Sequence, residues 1–183
     1  MSTRTLTTAI EFERIAAGLG PCELVRGEVI TLSPGGLSHS RVTARIAGLL
    51  WEWERRTRLG RTLTGEVGFA VETQPDTVRG ADVAYYAYER LPKQTRLDGF
   101  SAVPPNLVVE IVGKGQGWRE MVEKVGEYLR MGVDRVWVID PKSCRVHVYS
   151  RDAEPSVLAR GDTLTDETVL PGFSCQVDEF FAD

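Results

Sequence analysis

The run Asn106-Leu107-Val108-Val109-Glu110-Ile111-Val112 decides the fold class of this chain. A short, nearly continuous apolar run reads as a strand covered on both faces, as in the core of an α/β domain. Glu110 is the only charge in it. Burying an unpaired carboxylate carries a heavy free-energy cost or forces it to bind a proton. A bound cation or a basic partner removes that penalty. Val108 and Val112 flank Glu110 on its own face of the strand, so the strand itself offers no neutral explanation.

Working outward, Asp82-Val83-Ala84-Tyr85-Tyr86 predicts a second strand that opens on a carboxylate. Between the two lies a loop with Pro92, Gly99, Pro104 and Pro105. Val67-Gly68-Phe69-Ala70-Val71 alternates as a strand and turns around Gln74-Pro75-Asp76. After Glu110, a helix over 118–131 puts Trp118, Met121, Val122, Val125, Tyr128 and Leu129 on one face, with Gly132 as its stop. Residues 135–139 and 145–149 are strands joined by a turn at Pro141-Lys142-Ser143. Ser38 is the expected N-cap of a long helix to about Leu59, carrying Val42, Ile46, Leu49, Leu50 and Trp53 inward and stopped by Gly60. Before it, a short helix over 11–19 precedes a hairpin that turns at Arg26-Gly27. The tail holds short β pieces. The central order is therefore helix, three strands, helix, two strands, in one domain over residues 1–183.

A hydrophobic fraction of 42% and a charged fraction of 26% are ordinary for a globular protein. Residues 1–20 hold no uninterrupted apolar segment, and no run approaches the ~20 apolar residues of a membrane span. Cys22, Cys144 and Cys175 form no CxxC pair, which argues against a disulfide framework or zinc cluster and for a cytoplasmic location. The net charge of −4 hides an asymmetry. Arg41, Arg45, Arg55, Arg56, Arg58 and Arg61 cluster between Ser38 and Leu63, against Glu52 and Glu54. Overall acidity therefore does not exclude nucleic acid, because a local basic stripe can contact phosphates; a solvated helix face is the competing account.

An Asp, a Glu and a Lys converging on one sheet would suit metal-assisted phosphodiester cleavage. Hard oxygen ligands hold Mg²⁺, which polarises phosphate and lowers the pKa of a bound water. Neighbouring strands lie ~4.8 Å apart, so one ion can bridge carboxylates from both. A lysine can orient the water or stabilise charge developing on phosphate. Each residue has an ordinary alternative. Glu110 could pair structurally with an arginine, Asp82 could stabilise the turn after Gly80-Ala81, and Lys124 could pair with Glu120 one helical turn earlier. His39 is either a general base at the site's edge or a hydrogen bonder at a helix start. His147 reads as a solvated strand residue, and the four tryptophans as core or interface aromatics.

The strings Ala81-Asp82-Val83-Ala84, Pro105-Asn106-Leu107-Val108-Val109-Glu110-Ile111-Val112, Glu123-Lys124 and Val136-Trp137-Val138-Ile139-Asp140-Pro141, in this order, resemble the Uma-two-type endonuclease family. Glu23-Leu24-Val25-Arg26-Gly27-Glu28, Ser33-Pro34 with His39, and Leu170-Pro171-Gly172-Phe173 resemble its ends. The resemblance implies an α/β (α+β) fold of the PD-(D/E)XK type: a restriction-endonuclease-like core, with a mixed central β-sheet flanked by helices and an N-terminal β-hairpin. It implies Asp82 and Glu110 as metal ligands for Mg²⁺ (or Mn²⁺), and Lys124, displaced onto the following helix, as the catalytic lysine. The implied partner is nucleic acid, DNA rather than RNA, with no membrane; a homodimer would suit cutting of two strands. Arg41, Arg45, Arg55 and Arg56 are candidates for phosphate contact.

Two departures from the family pattern stand out. Ala81 replaces the usual Pro before Asp82, and Gly113-Lys114-Gly115-Gln116-Gly117 replaces a Ser-Pro-Ser-Asp-like segment. Lys114 is a substitute cation at the site's edge, and the free N–H groups of this segment could hold the scissile phosphate. The same departure motivates an alternative from another class: a catalytically inactive nuclease-fold protein acting as a binding or assembly module.

Overall fold

The structure, a computed structural model, describes residues 6–182. Helix α1 (Ala9–Ala16) starts two residues earlier than the apolar pattern predicts, because Thr8 and Glu11 close a reciprocal capping box around its first turn. Strands β1 (Cys22–Val25) and β2 (Glu28–Thr31) form the expected hairpin. Its turn uses Arg26 at φ 50° and Gly27 at φ 78°, the left-handed pair that matches strand twist. Helix α2 (Leu37–Thr57) begins after Gly36, with no side-chain cap, so Ser38 lies inside the helix rather than at its cap. It ends at Arg58 in the left-handed region, whose N–H bonds the Glu54 carbonyl, and not at Gly60. Gly60 instead opens a strand, where a Cβ would collide with the Tyr86 carbonyl and the Tyr85 ring.

That strand, β3 (Gly60–Glu72), pairs with β4 (Thr77–Ala87) in a hairpin much longer than the alternating pattern implied. The polar residues Arg61, Thr62 and Thr64 continue the ladder because only one edge of β3 is paired along this length. A bulge between Thr64 and Val67 puts Gly65 at φ 95° and Glu66 at φ 61°. Next come β5 (Leu107–Ile111), α3 (Trp118–Met131), β6 (Arg135–Asp140), β7 (Arg145–Tyr149) and β8 (Ser156–Leu158). The tail adds β9 (Thr163–Thr165), β10 (Ser174–Gln176) and α4 (Asp178–Phe181).

Eight strands form one mixed sheet in the order β2-β1-β4-β5-β6-β7-β8, with β3 also on β4. Strands β5 and β6 run parallel across the α3 crossover, and the other ladders are antiparallel. One edge of β4 serves two neighbours. Its C-terminal half pairs with β5 from Val83 to Tyr85, while Val78 pairs with Leu24 of β1. Between them, residues 79–82 pair on that edge with neither strand. Helix α2 and the tail cover one face through Val42, Ile46, Leu50 and Trp53, with Tyr85, Trp137 and Phe173. Helix α3 covers the other through Met121, Val125 and Tyr128. Trp118 and Val122 stand at the margin of this face rather than within it, being 42% and 44% exposed. Trp51 is likewise exposed, whereas Trp53 and Trp137 are core residues as expected. His147 is half-buried rather than solvated, its ring 4.5 Å from that of Trp118. Among the described residues no helix is long and apolar enough to cross a membrane.

Candidate active site

The unpaired stretch of β4 is where the charged side chains gather. Continuing the β4–β5 ladder by one step would set Asp82 opposite Glu110. The strands part there instead, and Asp82 Oδ2 accepts the Ile111 N–H at 2.7 Å. A side chain thus takes over a ladder bond and fixes the carboxylate beside Glu110. Its other oxygen, Oδ1, lies 3.2 Å from His39 Nε2, delivered by the first turn of α2. That bond raises His39 above the ordinary histidine value, against the opposing effect of burial. His39 therefore does more than bond a helix start: it reaches Asp82.

Glu110 is 3% exposed, and its neighbours on the α3 side are hydrogen-bond donors. Lys124 Nζ stands 3.0 Å from Oε1 and 3.1 Å from Oε2, and the Tyr128 hydroxyl donates to Oε1 at 2.7 Å. Burial pushes Glu110 up to about 8; Lys124 pulls the other way and Asp82 adds to the rise. Burial disfavours the charge of Lys124 as well, but Glu110 and Glu23 outweigh it and hold Lys124 above its ordinary value. Lys124 does not form the helical pair with Glu120. Its ammonium also donates to the Gly80 carbonyl at 2.7 Å and meets Glu23 Oε1 at 2.9 Å.

Sequence reasoning missed the supports of this centre. Glu23, 4% exposed on β1, accepts the Gly80 N–H at 3.0 Å and faces Arg79 Nη1 at 2.8 Å. Arg79 in turn binds both oxygens of Glu127, at 2.5 and 3.0 Å. Burial alone would raise Glu23, yet Lys124 and Arg79 hold it below the ordinary carboxylate value. A signal existed on α3, where Lys124, Glu127 and Tyr128 share one helical face with Met121 and Val125 (spacings of three and four). Polar groups on a buried face need partners. Nothing comparable marked Glu66. Its carboxylate hangs over Gly80 because the β3 bulge turns the chain, and burial together with Asp82 raises it. Beside it lies a cleft of about 140 Å³ lined in part by Phe12, Cys22, Arg79 and Phe100.

The other expected residues stand apart. Lys114 is exposed and makes no bond to Asp82 or Glu110. Its segment folds on itself, with Gly113 N–H bonded to Gln116 Oε1 at 3.1 Å and Gly117 starting α3 without a side-chain cap. Arg41, two residues after His39, bonds the Ala182 carbonyl at 3.2 Å. Arg55 and Arg56 are exposed at the far end of α2, Arg55 lying over the Trp51 ring at 5.2 Å. At ~1.5 Å of rise per residue that end lies on the order of 24 Å from His39. The arginines thus lead away along α2 and do not line the carboxylates. Arg45, half-buried, belongs to the same helix.

The donor set can be tested against a divalent cation. Among the described residues, no group of three or more His, Cys, Asp or Glu is arranged to hold a metal ion. Mg²⁺ does not require one, since it is commonly held by one or two carboxylates with waters and phosphate oxygens. Asp82 and Glu110 bring two carboxylates together at the parted strands, the number such an ion would need. The residues fit.

Mixed sheet, flanking helices, N-terminal hairpin and a parted strand pair carrying two carboxylates place the chain in the restriction-endonuclease-like class. A family profile described as "Uma2: Putative restriction endonuclease" matches residues 10–178, and the chain belongs to that family. A crystal structure from Anabaena variabilis ATCC 29413, described as "a putative nuclease belonging to DUF820", shares the fold. The TM-score is 0.79 at 18% identity, over 95% of this chain and 97% of that one. Among curated proteins, none matches significantly.

Proposed function

We propose that the protein is a Mg²⁺- or Mn²⁺-dependent endonuclease that hydrolyses phosphodiester bonds of nucleic acid, DNA rather than RNA. The observation that carries the reading is the meeting of Asp82, Glu110 and Lys124, from two strands and a helix, at the parted strands. Asp82 and Glu110 would hold the cation, which when bound would polarise the phosphate and acidify a water. Lys124 keeps a fixed positive charge at the same place, suited to orienting that water or to stabilising charge on phosphate. His39 holds Asp82 in position through its 3.2 Å contact. The start of α3, which has no side-chain cap, offers N–H groups to a phosphate oxygen. Two copies acting together would serve a duplex substrate.

The test is cleavage of DNA and RNA panels by the purified chain with Mg²⁺, Mn²⁺ or EDTA. Metal-dependent cutting that Asp82→Ala and Glu110→Ala each abolish is expected. Absence of cutting under every metal, or unimpaired cutting by both variants, overturns the proposal. The departure at Gly113–Gly117 favours one competing account, a catalytically inactive binding or assembly module. It predicts no saturable Mn²⁺ binding that depends on Glu110.

A further inference from the structure

We infer that Glu23 is a positioning residue for Lys124, the standing counterion that keeps its ammonium in place when a divalent cation engages Glu110. The inference rests on the metal-dependent reading above. Lys124 has three N–H donors and three acceptors: the Gly80 carbonyl at 2.7 Å, Glu23 at 2.9 Å and Glu110 at 3.0 Å. As it stands, the ammonium is saturated and has nothing left for a water or a phosphate. One acceptor must let go.

The two carboxylates are not equivalent. Glu23 is held at both oxygens, Oε1 by Lys124 and the Gly80 N–H, Oε2 by Arg79. Arg79 is anchored in turn on Glu127. This buried chain, Glu127 to Arg79 to Glu23 to Lys124, leaves Glu23 no freedom to leave the lysine. Among the described residues Glu110 has Lys124 as the one cation in direct contact, with the neutral Tyr128 hydroxyl on Oε1 and Asp82 alongside. Glu110 is therefore the acceptor that a divalent cation can draw off. Lys124 then retains Glu23 and Gly80, and one N–H is released towards the site. Without Glu23, Glu110 is the one carboxylate still in direct contact with the ammonium among the described residues, and lysine and metal compete for it.

The experiment measures Mn²⁺ binding to the full chain by calorimetry, for the parent, Glu23→Gln, Lys124→Gln and the double variant, with folding checked by circular dichroism. In the Lys124 background, Glu23→Gln is expected to weaken Mn²⁺ binding about tenfold, a typical coupling for touching charges. In the Lys124→Gln background the same change should matter less than about threefold, because the competitor is gone. If Glu23→Gln fails to fold, Glu23→Asp takes its place, since it keeps the charge but withdraws it by one methylene. Its weakening should likewise require Lys124. Equal effects in both backgrounds would reduce Glu23 to a distant charge and overturn the inference. So would parent-like binding by the Glu23 variants, even where the parent binds Mn²⁺ and cuts. A parent that binds no Mn²⁺ overturns the metal reading itself and this inference with it.

Discussion

Replacing Glu110 by Gln should change how stability depends on pH more than it changes stability at any one pH. The carboxyl of Glu110 is lifted by burial from 4.5 to about 8. A folded-state value above the unfolded one means that the folded chain binds the proton more tightly. The stability this contributes is fully present below about pH 4.5 and is lost as pH rises through about 8. At about 1.36 kcal/mol per tenfold change in proton affinity, the full span amounts to about 5 kcal/mol; partial hydration would leave about 2 kcal/mol. The amide introduced by Glu110→Gln would be isosteric and cannot ionise, so the variant escapes this loss. The assay is urea unfolding in EDTA at intervals from pH 5 to 8.5, followed through the buried Trp53 and Trp137. The expected result is a difference between parent and variant that moves by about 2–5 kcal/mol in favour of the variant as pH rises. A difference that stays constant within about 0.5 kcal/mol, a typical uncertainty of additive comparisons, refutes the argument. It would mean that Lys124 and Tyr128 compensate burial completely.

Three other outcomes follow from the same geometry. His39 is raised by its bond to Asp82, so the stability it contributes is present below about pH 6.5 and fades as pH rises past its folded value. His39→Ala should therefore cost about 1–2 kcal/mol near pH 5.5 and less near pH 8.5, read by urea unfolding. Tyr128→Phe removes the 2.7 Å bond to a buried carboxylate. It should lower unfolding free energy by about 1–3 kcal/mol with no change in the circular dichroism of the folded state. Leu50, fully buried between α2 and the sheet, should lose about 2–5 kcal/mol on replacement by Ala, shown as a lower urea midpoint at unchanged m-value.

Local pattern made the central elements readable. Glu110 sits in a run too apolar to be anything but an internal strand, and α3 announces itself through Met121, Val125 and Tyr128. Residues whose placement depends on partners were harder to read. The polar first half of β3 looked like loop because its ladder is supplied by β4, and Gly60 mimicked a helix stop while serving a close strand contact. Trp118 and Val122 have helical spacing but stay largely exposed, Trp118 beside the His147 ring of β7. At the site, Asp82, Glu110 and Lys124 could be named from strand, spacing and resemblance. Glu23 and Arg79 could not, because they meet only when β1 reaches β4 from more than fifty residues away. Glu66 depends on a bulge that no residue pattern signalled.

The shared edge of β4 has a consequence for the order in which the molecule assembles. The β3–β4 hairpin and the β5–α3–β6 crossover are built from neighbours in the chain, so they can form early and bring Asp82, Glu110 and Lys124 within reach. Closing β1 onto β4 is a long loop closure, slower on entropic grounds. The N-terminal hairpin thus behaves as a clasp: until it closes, Lys124 lacks Glu23, and Arg79 faces Glu127 alone. A chain emerging from synthesis has its hairpin first but no β4 to receive it, so the charged centre matures only once the body of the sheet exists.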